Sequence, residues 1–465
     1  MQNQVPKNSH RFSRRGFVQA GSTIALTASS WRRSLGANER IQVGMIGYGL
    51  IGHSHLEDFK EQPDVDLMAI SETHRGRMEQ AAALMGRNAS RYKDFRDLLD
   101  NKDIDAVIVS TPDHWHALHT MLACAAGKDV YVEKPMTLFV KEGRWMVDVA
   151  KRYRRIVQVG AQQRSGKHYQ QARELIRQGK LGKVVSIHDD YHRNLMPGLG
   201  YPPDQDPPVD LDWDMFLGPA PARPYNLHRG IYHFRWFWDY SGGQMTNFGA
   251  HSMDIVYYYM DVKGPTSVTS IGDRSILKDN CETTDNQDTI FEFPGFRMVV
   301  SLREYCLGEG SNPLGFYGTN GSLLISRSGF KLTPDKNMPP VDVFPGVKEG
   351  DHPIGGPIYD TETLKPSLRT EPVSVSRQNA RNLLKLHARN FLDCVKSRQT
   401  PISDVENGHR VATVLHLANL SARIGRRIVW DAEKEEIVGD EEANCMIVRP
   451  YRPPWDAELK SLNVT

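Results

Sequence analysis

The chain of 465 residues is poor in cysteine, in net charge and in long apolar runs. Its five cysteines, Cys124, Cys281, Cys306, Cys394 and Cys445, are scattered and form no C-x-x-C pair. That spacing offers neither a structural zinc site nor a disulfide framework, and the odd number leaves at least one thiol unpaired within the chain. A net charge of +2 gives no long-range attraction toward nucleic acid or an anionic membrane surface. Beyond the N-terminus, no apolar run is long enough to span a bilayer. The length suffices for two or three domains with sizeable cores.

The N-terminus stands apart from the fold. Ser13-Arg14-Arg15-Gly16-Phe17-Val18-Gln19 matches a twin-arginine export signal, and a mildly apolar stretch follows from Ala20 to Ser29. Leu35-Gly36-Ala37 offers a small-residue cleavage site, so residues 1–37 read as a signal peptide and the mature chain as periplasmic or otherwise exported. A disordered basic arm is the alternative.

Ile41 to Ile46 then reads as a buried strand that ends in Gly47-Tyr48-Gly49-Leu50-Ile51-Gly52, and Leu56 and Phe59 give the following helix an apolar face. Each glycine has a physical task in a dinucleotide site. Gly47 permits the tight turn, Gly49 lets the backbone approach a pyrophosphate, and Gly52 brings helix and strand together. The helix N-terminus offers free N–H groups to the phosphates. Glu72, 20 positions beyond Gly52 at the end of the next apolar stretch, can accept hydrogen bonds from a ribose. A plain strand-turn-helix with packing glycines is the competing reading.

Strands and helices alternate to about Gly160, which predicts a doubly wound parallel sheet in a Rossmann domain over 38–160. Residues 161–430 read as a second α/β domain with a mostly antiparallel sheet, followed by an irregular tail over 431–465. Within it, 194–240 is a long irregular segment rich in Pro, Trp and Tyr, Gln244–Met260 reads as one helix, and 333–371 as a surface excursion.

Several residues suit chemistry. Glu133-Lys134-Pro135 follows the strand at Val130–Val132, at a carboxyl end where ligands bind in open parallel sheets. Lys134 there can hydrogen-bond or protonate a substrate oxygen, and a cis Lys-Pro bond suits the turn. Thr111-Pro112-Asp113-His114-Trp115-His116 occupies the matching place after Ala106–Ser110, so Thr111, Pro112 and His116 are expected to line the nicotinamide ribose. His114, His116 and His119 are loosely spaced and lack a fourth ligand, so no metal is expected there. On a single helix Asn247 and His251 share one face, with His251 a good general base and Asn247 able to orient a hydroxyl but not to take its proton. Asp254 is expected to be structural. In His188-Asp189-Asp190-Tyr191-His192-Arg193, strand alternation separates His188, Asp190 and His192 from Asp189, Tyr191 and Arg193. One face could line a sugar site, and Tyr191 on one face and His192 on the other are the substrate candidates; a metal on the first three is the alternative. Arg235 and Trp236, in a dense aromatic stretch, are further substrate candidates, although such density also suits a subunit interface.

Taken in order, these motifs resemble the Gfo/Idh/MocA family of glucose–fructose oxidoreductase, inositol dehydrogenase and relatives. The resemblance runs from about Ile41 to about Trp430 through the glycine loop, Glu72, Ser110-Thr-Pro112, Glu133-Lys134-Pro135, Val159-Gly160-Ala-Gln162-Gln-Arg164, and Gly242-Gly243 through His251 to Asp254. It implies a Rossmann domain and a C-terminal domain whose open sheet often forms oligomer contacts. It also implies Lys134 and His251 as the catalytic core, with Glu133, Lys134 itself, Gln162 and Arg164 added to the cofactor site. In the family an aspartate commonly stands where this chain has Asn247, and an acid matching Glu72 usually favours NAD over NADP. The expected activity is an NAD-dependent oxidoreductase acting on a sugar or polyol CH–OH group, with the cofactor retained because an exported enzyme meets no soluble nicotinamide pool. An NAD-dependent glycoside hydrolase working by transient oxidation and a non-catalytic sugar-binding module are the two rival expectations.

Overall fold

The computed structural model describes residues 40–86, 88–308, 313–336, 368–376 and 382–464. The twin-arginine motif, its cleavage site and most of the expected 333–371 excursion lie outside the described residues.

The N-terminal part follows the alternation of its sequence: β1 (Ile41–Ile46), α1 (Leu50–Lys60), β2 (Val65–Ser71), α2 (Arg75–Met85), β3 (Ser90–Tyr92), α3 (Phe95–Asp100), β4 (Ala106–Val109), α4 (Asp113–Ala125), β5 (Asp129–Val132), α5 (Val140–Tyr153) and β6 (Val157–Val159). The strands form a parallel sheet in the order β3-β2-β1-β4-β5-β6. The order reverses between β1 and β4, and a cleft opens at their carboxyl ends, as in doubly wound sheets generally. The inner strands β1, β4 and β5 are almost wholly buried, which fits their largely apolar sequence, whereas the edge strand β3 is mostly exposed.

The chain then forms α6 (Lys167–Arg177), β7 (Val184–His192), β8 (Asp204–Gln205), α7 (Trp213–Leu217), β9 (Tyr225–Asn226), α8 (Gly243–Asn247), α9 (Gly249–Met260), β10 (Ser267–Asp273), β11 (Asn286–Phe293), β12 (Phe296–Arg303), β13 (Leu314–Gly318), β14 (Gly321–Ser326), β15 (Gly329–Pro334) and β16 (Val373–Ser376). The last elements are α10 (Asn382–Ser397), α11 (Val405–Ile424), β17 (Ile428–Asp431), β18 (Glu436–Ile437), α12 (Glu441–Cys445) and α13 (Trp455–Ser461). Ten strands make the second sheet, in the order β16-β15-β14-β13-β7-β12-β11-β10-β17-β18. Only β7 and β12 run parallel; the other pairs are antiparallel. The α/β class and both sheet types match the sequence reading. No described helix is long and apolar enough to cross a membrane.

Three local expectations are corrected. The 194–240 segment is not a structureless loop. It carries a short two-stranded sheet (β8 and β9), α7 and a 3-10 turn (His233–Trp236), gathered around a core that includes Phe216, Tyr225, Trp236, Phe237 and Tyr240. Its aromatics supply the apolar surface that such an excursion needs to hold its own shape. The tail is not irregular either. Tyr451, Trp455, Leu459 and Leu462 join the core under α4 and α5, Trp455 stands edge-on to Trp115, and the Tyr451 hydroxyl donates to Glu142 at 2.7 Å. The third correction concerns the helix that carries His251.

Candidate active site

A cleft of about 880 Å³, counting its open mouth, lies over the switch point of the parallel sheet. Gly47 through Ile51, Glu72, Thr111 and Pro112 line it. Gly47 has φ of +87°, and a side chain there would meet the Thr111 main-chain nitrogen at 2.9 Å. A Cβ on Gly52 would stand 2.9 Å from Ser110 Oγ and 3.0 Å from the Gly47 oxygen, so this glycine closes the helix onto the strands. A Cβ on Gly49 would meet nothing within 4 Å; that side of the loop is open space, as approach of a pyrophosphate requires. No side chain caps α1, so its first N–H groups remain available to an anion. Glu72 does a second job besides facing the cleft. One carboxylate oxygen accepts from the Tyr48 N–H at 2.6 Å and the other from the His74 N–H at 2.9 Å, which ties the end of β2 to the glycine loop. A carboxylate has lone pairs to spare for a ribose. These residues fit a dinucleotide.

The far wall of this cleft comes from the long segment, through Leu211, Met215, Phe216, Ile231, Tyr232, Phe234 and Arg235. Main-chain bonds stitch it to the Rossmann domain, Arg75 N–H to Asp210 at 2.8 Å and Asp212 N–H to Thr73 at 2.9 Å. The carbonyl of Phe216 accepts from Trp115 Nε1 at 3.1 Å and lies 2.9 Å from His114 Nε2. Burial drives His114 down to about 3, so its ring is neutral.

Lys134 projects from the carboxyl end of β5 after a cis Lys134–Pro135 peptide. Its Nζ donates to Asn247 Oδ1 at 2.9 Å and to the Asn247 main-chain oxygen at 3.2 Å. The second bond takes the carbonyl that an uninterrupted helix would offer to residue 251. His251 N–H bonds instead to the Phe248 oxygen, and the helix breaks between α8 and α9. Asn247 and His251 therefore do not lie on one unbroken helix, as the spacing suggested, although Phe248 between them keeps right-handed helical angles. Asn247 faces Lys134, while His251 opens on a second cleft with Asp189, Tyr191, Phe248, Ser252 and Arg327. Burial, then the charges of Lys134 and Arg327, hold the His251 ring well below its ordinary range, and its Nδ1 is buried with no partner among the described residues. Burial also lowers Lys134, with Glu133 pulling the other way.

Glu133, expected against the cofactor, lies behind Lys134 instead. His55 Nε2 is 2.7 Å from Glu133 Oε1, and Glu133 Oε2 accepts from the Lys134 N–H at 3.0 Å. Burial alone would raise this carboxyl, but the bond and charge of His55 bring it below the usual range. His116 is also removed from the cofactor wall. Its two ring nitrogens face the carbonyl oxygens of Pro135 at 2.7 Å and Thr111 at 2.8 Å, so it joins the loops after β4 and β5. Arg164 is corrected too. Its Nε donates to both carboxylate oxygens of the buried Asp254, at 2.9 and 2.8 Å, and its terminal nitrogens donate to the main-chain oxygens of Ile402 and Asp254, at 3.1 and 3.2 Å, so each of its nitrogens already has a protein partner. Gln162 is buried on the turn after β6, outside the lining of either cleft, with Oε1 unpartnered among the described residues.

Among the substrate candidates, Tyr191 lines the second cleft, with its hydroxyl 2.9 Å from Ser252 Oγ. Arg235 lines the first, its guanidinium over the rings of Tyr232 and Phe234. His192 lines neither and stands 3.9 Å from Asp190. Trp236 is fully buried and donates to the buried Glu304 carboxylate at 2.8 and 3.0 Å, so it has no edge left for a sugar. Sequence reading missed His55, Asp113, Asp189 and Arg327. His55 alone left a signal: it falls on the same inward stripe as Gly52, Leu56 and Phe59.

The chain belongs to the Gfo/Idh/MocA oxidoreductase family. Residues 41–161 match the NAD-binding Rossmann fold of that family, and residues 166–275 and 378–457 match its C-terminal α/β domain. NAD is the cofactor that this Rossmann family binds. A glycosyl hydrolase family 109 protein of Shewanella baltica is 34% identical over 167 residues, 33% of this chain and 36% of the relative. An inositol 2-dehydrogenase/D-chiro-inositol 3-dehydrogenase of Lactiplantibacillus plantarum is 29% identical over 158 residues, 34% of this chain and 45% of the relative. The matched stretches thus take in less than half of these curated relatives. Among solved structures, a levoglucosan dehydrogenase in complex with NADH and L-sorbose shares the fold at a TM-score of 0.63, with 19% identity over 84% of this chain and 98% of that one.

Proposed function

We propose that the chain is an NAD-dependent oxidoreductase acting on a CH–OH group of a sugar or polyol, with the cofactor retained between turnovers. The observation that carries this reading is the placement of Lys134. This residue follows the carboxyl end of β5, beside β4, whose following residues Ser110 to Pro112 line the dinucleotide cleft, and its charge bears on the His251 ring. Bound NAD would supply the hydride acceptor. The neutral His251 ring takes the hydroxyl proton, and Lys134 Nζ donates to the oxygen that becomes a carbonyl. Tyr191 and Arg235 hold the substrate from the two clefts. The wall of residues 211–235 supports retention, because the dinucleotide has to leave past a segment bonded to the Rossmann domain itself.

A second reading is favoured by the Shewanella relatives. In a glycoside hydrolase that works by transient oxidation, the same groups would oxidise a hydroxyl, let the glycoside eliminate, and restore the cofactor. A non-catalytic sugar-binding module would rest on Asn247 alone. The deciding experiment is to purify the protein without added cofactor, denature it and measure released NAD(H). Near-stoichiometric nicotinamide supports retention, and turnover of a glycoside without net NADH then selects the hydrolase. An empty protein that reduces added NAD with a polyol supports a plain dehydrogenase. An empty protein with no turnover on either substrate class overturns the enzymatic reading.

Two associated proposals concern assembly and place. Ile271, Ile290, Tyr317, Val185 and Val429 are exposed apolar residues on strands of the ten-stranded sheet, which supports a homo-oligomer through that sheet, testable by light scattering. The twin-arginine motif supports export to the periplasm.

A further inference from the structure

The cleft onto which His251 opens holds about 1060 Å³, counting its mouth. Opposite the histidine, its rim is the turn between β14 and β15, with Ser326, Arg327 and Ser328 all lining the space. That turn is pinned. Ser326 pairs with Gly329 across it, the Ser328 N–H donates to Ser326 Oγ at 3.2 Å, and the ring of the buried His168 stands 3.1 Å from the Ser326 carbonyl. A two-residue turn held in this way fixes the point from which the Arg327 side chain enters the cleft.

Arg327 has neither an ion pair nor a hydrogen bond among the described residues. Arg164, by contrast, spends every nitrogen on the protein. The two acids of the cleft do not neutralise Arg327. Asp190 stands 3.9 Å from His192. Asp189 is buried, and its Oδ1 accepts from the Asp190 N–H at 3.1 Å. Burial lifts its carboxyl to about 7, against the pull of the nearby Ser252 and Tyr191 hydroxyls, so it carries little charge near neutral pH. Its Oδ2 is buried with no partner among the described residues, as is His251 Nδ1. The cleft thus offers one uncompensated guanidinium on its rim and two buried polar atoms without partners. A ligand with one anionic group and several hydroxyls satisfies all three.

We propose that the second cleft takes a sugar acid, a uronate or an aldonate, with its carboxylate on Arg327 and its hydroxyls toward Asp189 and His251. The inference rests on the reading of His251 as the group that takes the hydroxyl proton. Arg327 is then the specificity-determining residue. Its planar fork matches a carboxylate with two parallel N–H bonds, whereas a neutral sugar leaves it facing water. A bound carboxylate also offsets the charge that Arg327 otherwise sets against Lys134 and His251.

The test is calorimetric titration of NAD-saturated protein with galacturonate, glucuronate and gluconate, and with galactose, glucose and myo-inositol as neutral counterparts. At least one acid should bind about tenfold or more tightly than its neutral counterpart, the increment of a charge-assisted pair. The margin should narrow between about 50 mM and about 500 mM salt, because the rim is open to solvent. Arg327→Gln should erase the preference, and Arg327→Lys should keep part of it. Arg327 is exposed and bonds to nothing else described, so these variants should fold and retain the wild-type content of NAD. Equal affinity for acids and neutral sugars, no binding of any acid, or a preference that survives Arg327→Gln overturns the inference. Binding is read without turnover, which separates the two readings. Neutral polyols that reduce NAD with no preference for acids would sink the sugar-acid site alone. A preference for acids with no hydride transfer would sink the proposed function and leave the site standing.

Discussion

His55 Nε2 and Glu133 Oε1 are 2.7 Å apart in the core, and the other oxygen of this carboxylate accepts from the Lys134 N–H at 3.0 Å. The same carboxylate explains a glycine. A Cβ on Gly160 would stand 2.4 Å from Glu133 Oε1. Glu133 cannot swing away without breaking its bonds to His55 and to the Lys134 N–H. Gly160→Ala should therefore cost about 1–3 kcal/mol of stability, as overpacking does. Chemical denaturation would show it, and a variant as stable as the wild type would mean that Glu133 is not held where it stands.

Lys134→Ala should lower turnover by about 100- to 1,000-fold, the loss expected when one donor to a developing oxyanion is removed. The content of bound NAD should not change, since the glycine loop, Glu72 and the wall at residues 211–235 are untouched. Single-turnover rates and the nicotinamide released on denaturation separate the two effects. Loss of both together would place Lys134 in cofactor binding instead.

The Rossmann half was legible because each of its features is local. A buried strand, a glycine turn and an amphipathic helix follow one another within 20 residues, and the acid at Glu72 completes the set. The second half was legible only in class. In the run from Gln244 to Met260 only Gly249 hints at a break, and the Lys134 bond to the Asn247 carbonyl there comes from more than a hundred positions away. Glu133 and Arg164 were misplaced for a related reason. Charged residues in a family motif suggest a ligand, whereas here each meets a buried partner from a distant segment, His55 and Asp254. Trp236 met the same outcome with Glu304. The tail gave no periodic pattern because its two helices are short and bury only a few large side chains.

The pH–rate profile should report His251. The reaction needs its neutral ring, so the acidic limb of kcat/KM marks the ring gaining a proton. Burial and the cations Lys134 and Arg327 hold that protonation well below the ordinary histidine range. Removing a cation favours the protonated ring, so Arg327→Gln should move the acidic limb to higher pH. A limb that stays in place would show that Arg327 does not face His251 during turnover.

Asp189 offers a stability test of the second cleft. Burial raises its carboxyl to about 7, against 3.8 in the unfolded chain. A carboxyl raised on folding is no burden while protonated in both states. Its contribution is lost as pH climbs from 3.8 through 7, because the unfolded chain ionises first. Asp189→Asn removes the ionisable proton and keeps the shape. The variant should gain stability over the wild type between pH 5 and pH 8, by an amount approaching about 3 kcal/mol. Urea unfolding at the two pH values measures the difference. An equal gap at both would place the carboxyl in water.

The proposed export signal and the proposed retention of the cofactor make one joint prediction. If the dinucleotide is loaded before translocation, the protein has to leave the cell folded, and the twin-arginine route is the one that carries folded cargo. Replacing Arg14 and Arg15 together by lysine should leave full-length protein inside the cell, with its NAD bound. The wild type should be recovered outside the inner membrane beginning at Asn38, also with NAD bound. Fractionation, N-terminal sequencing and nicotinamide release from each fraction decide the matter. An exported form that arrives empty would separate the two ideas, because a cofactor acquired after export would need a source outside the cell and the wall at residues 211–235 would have to open to admit it.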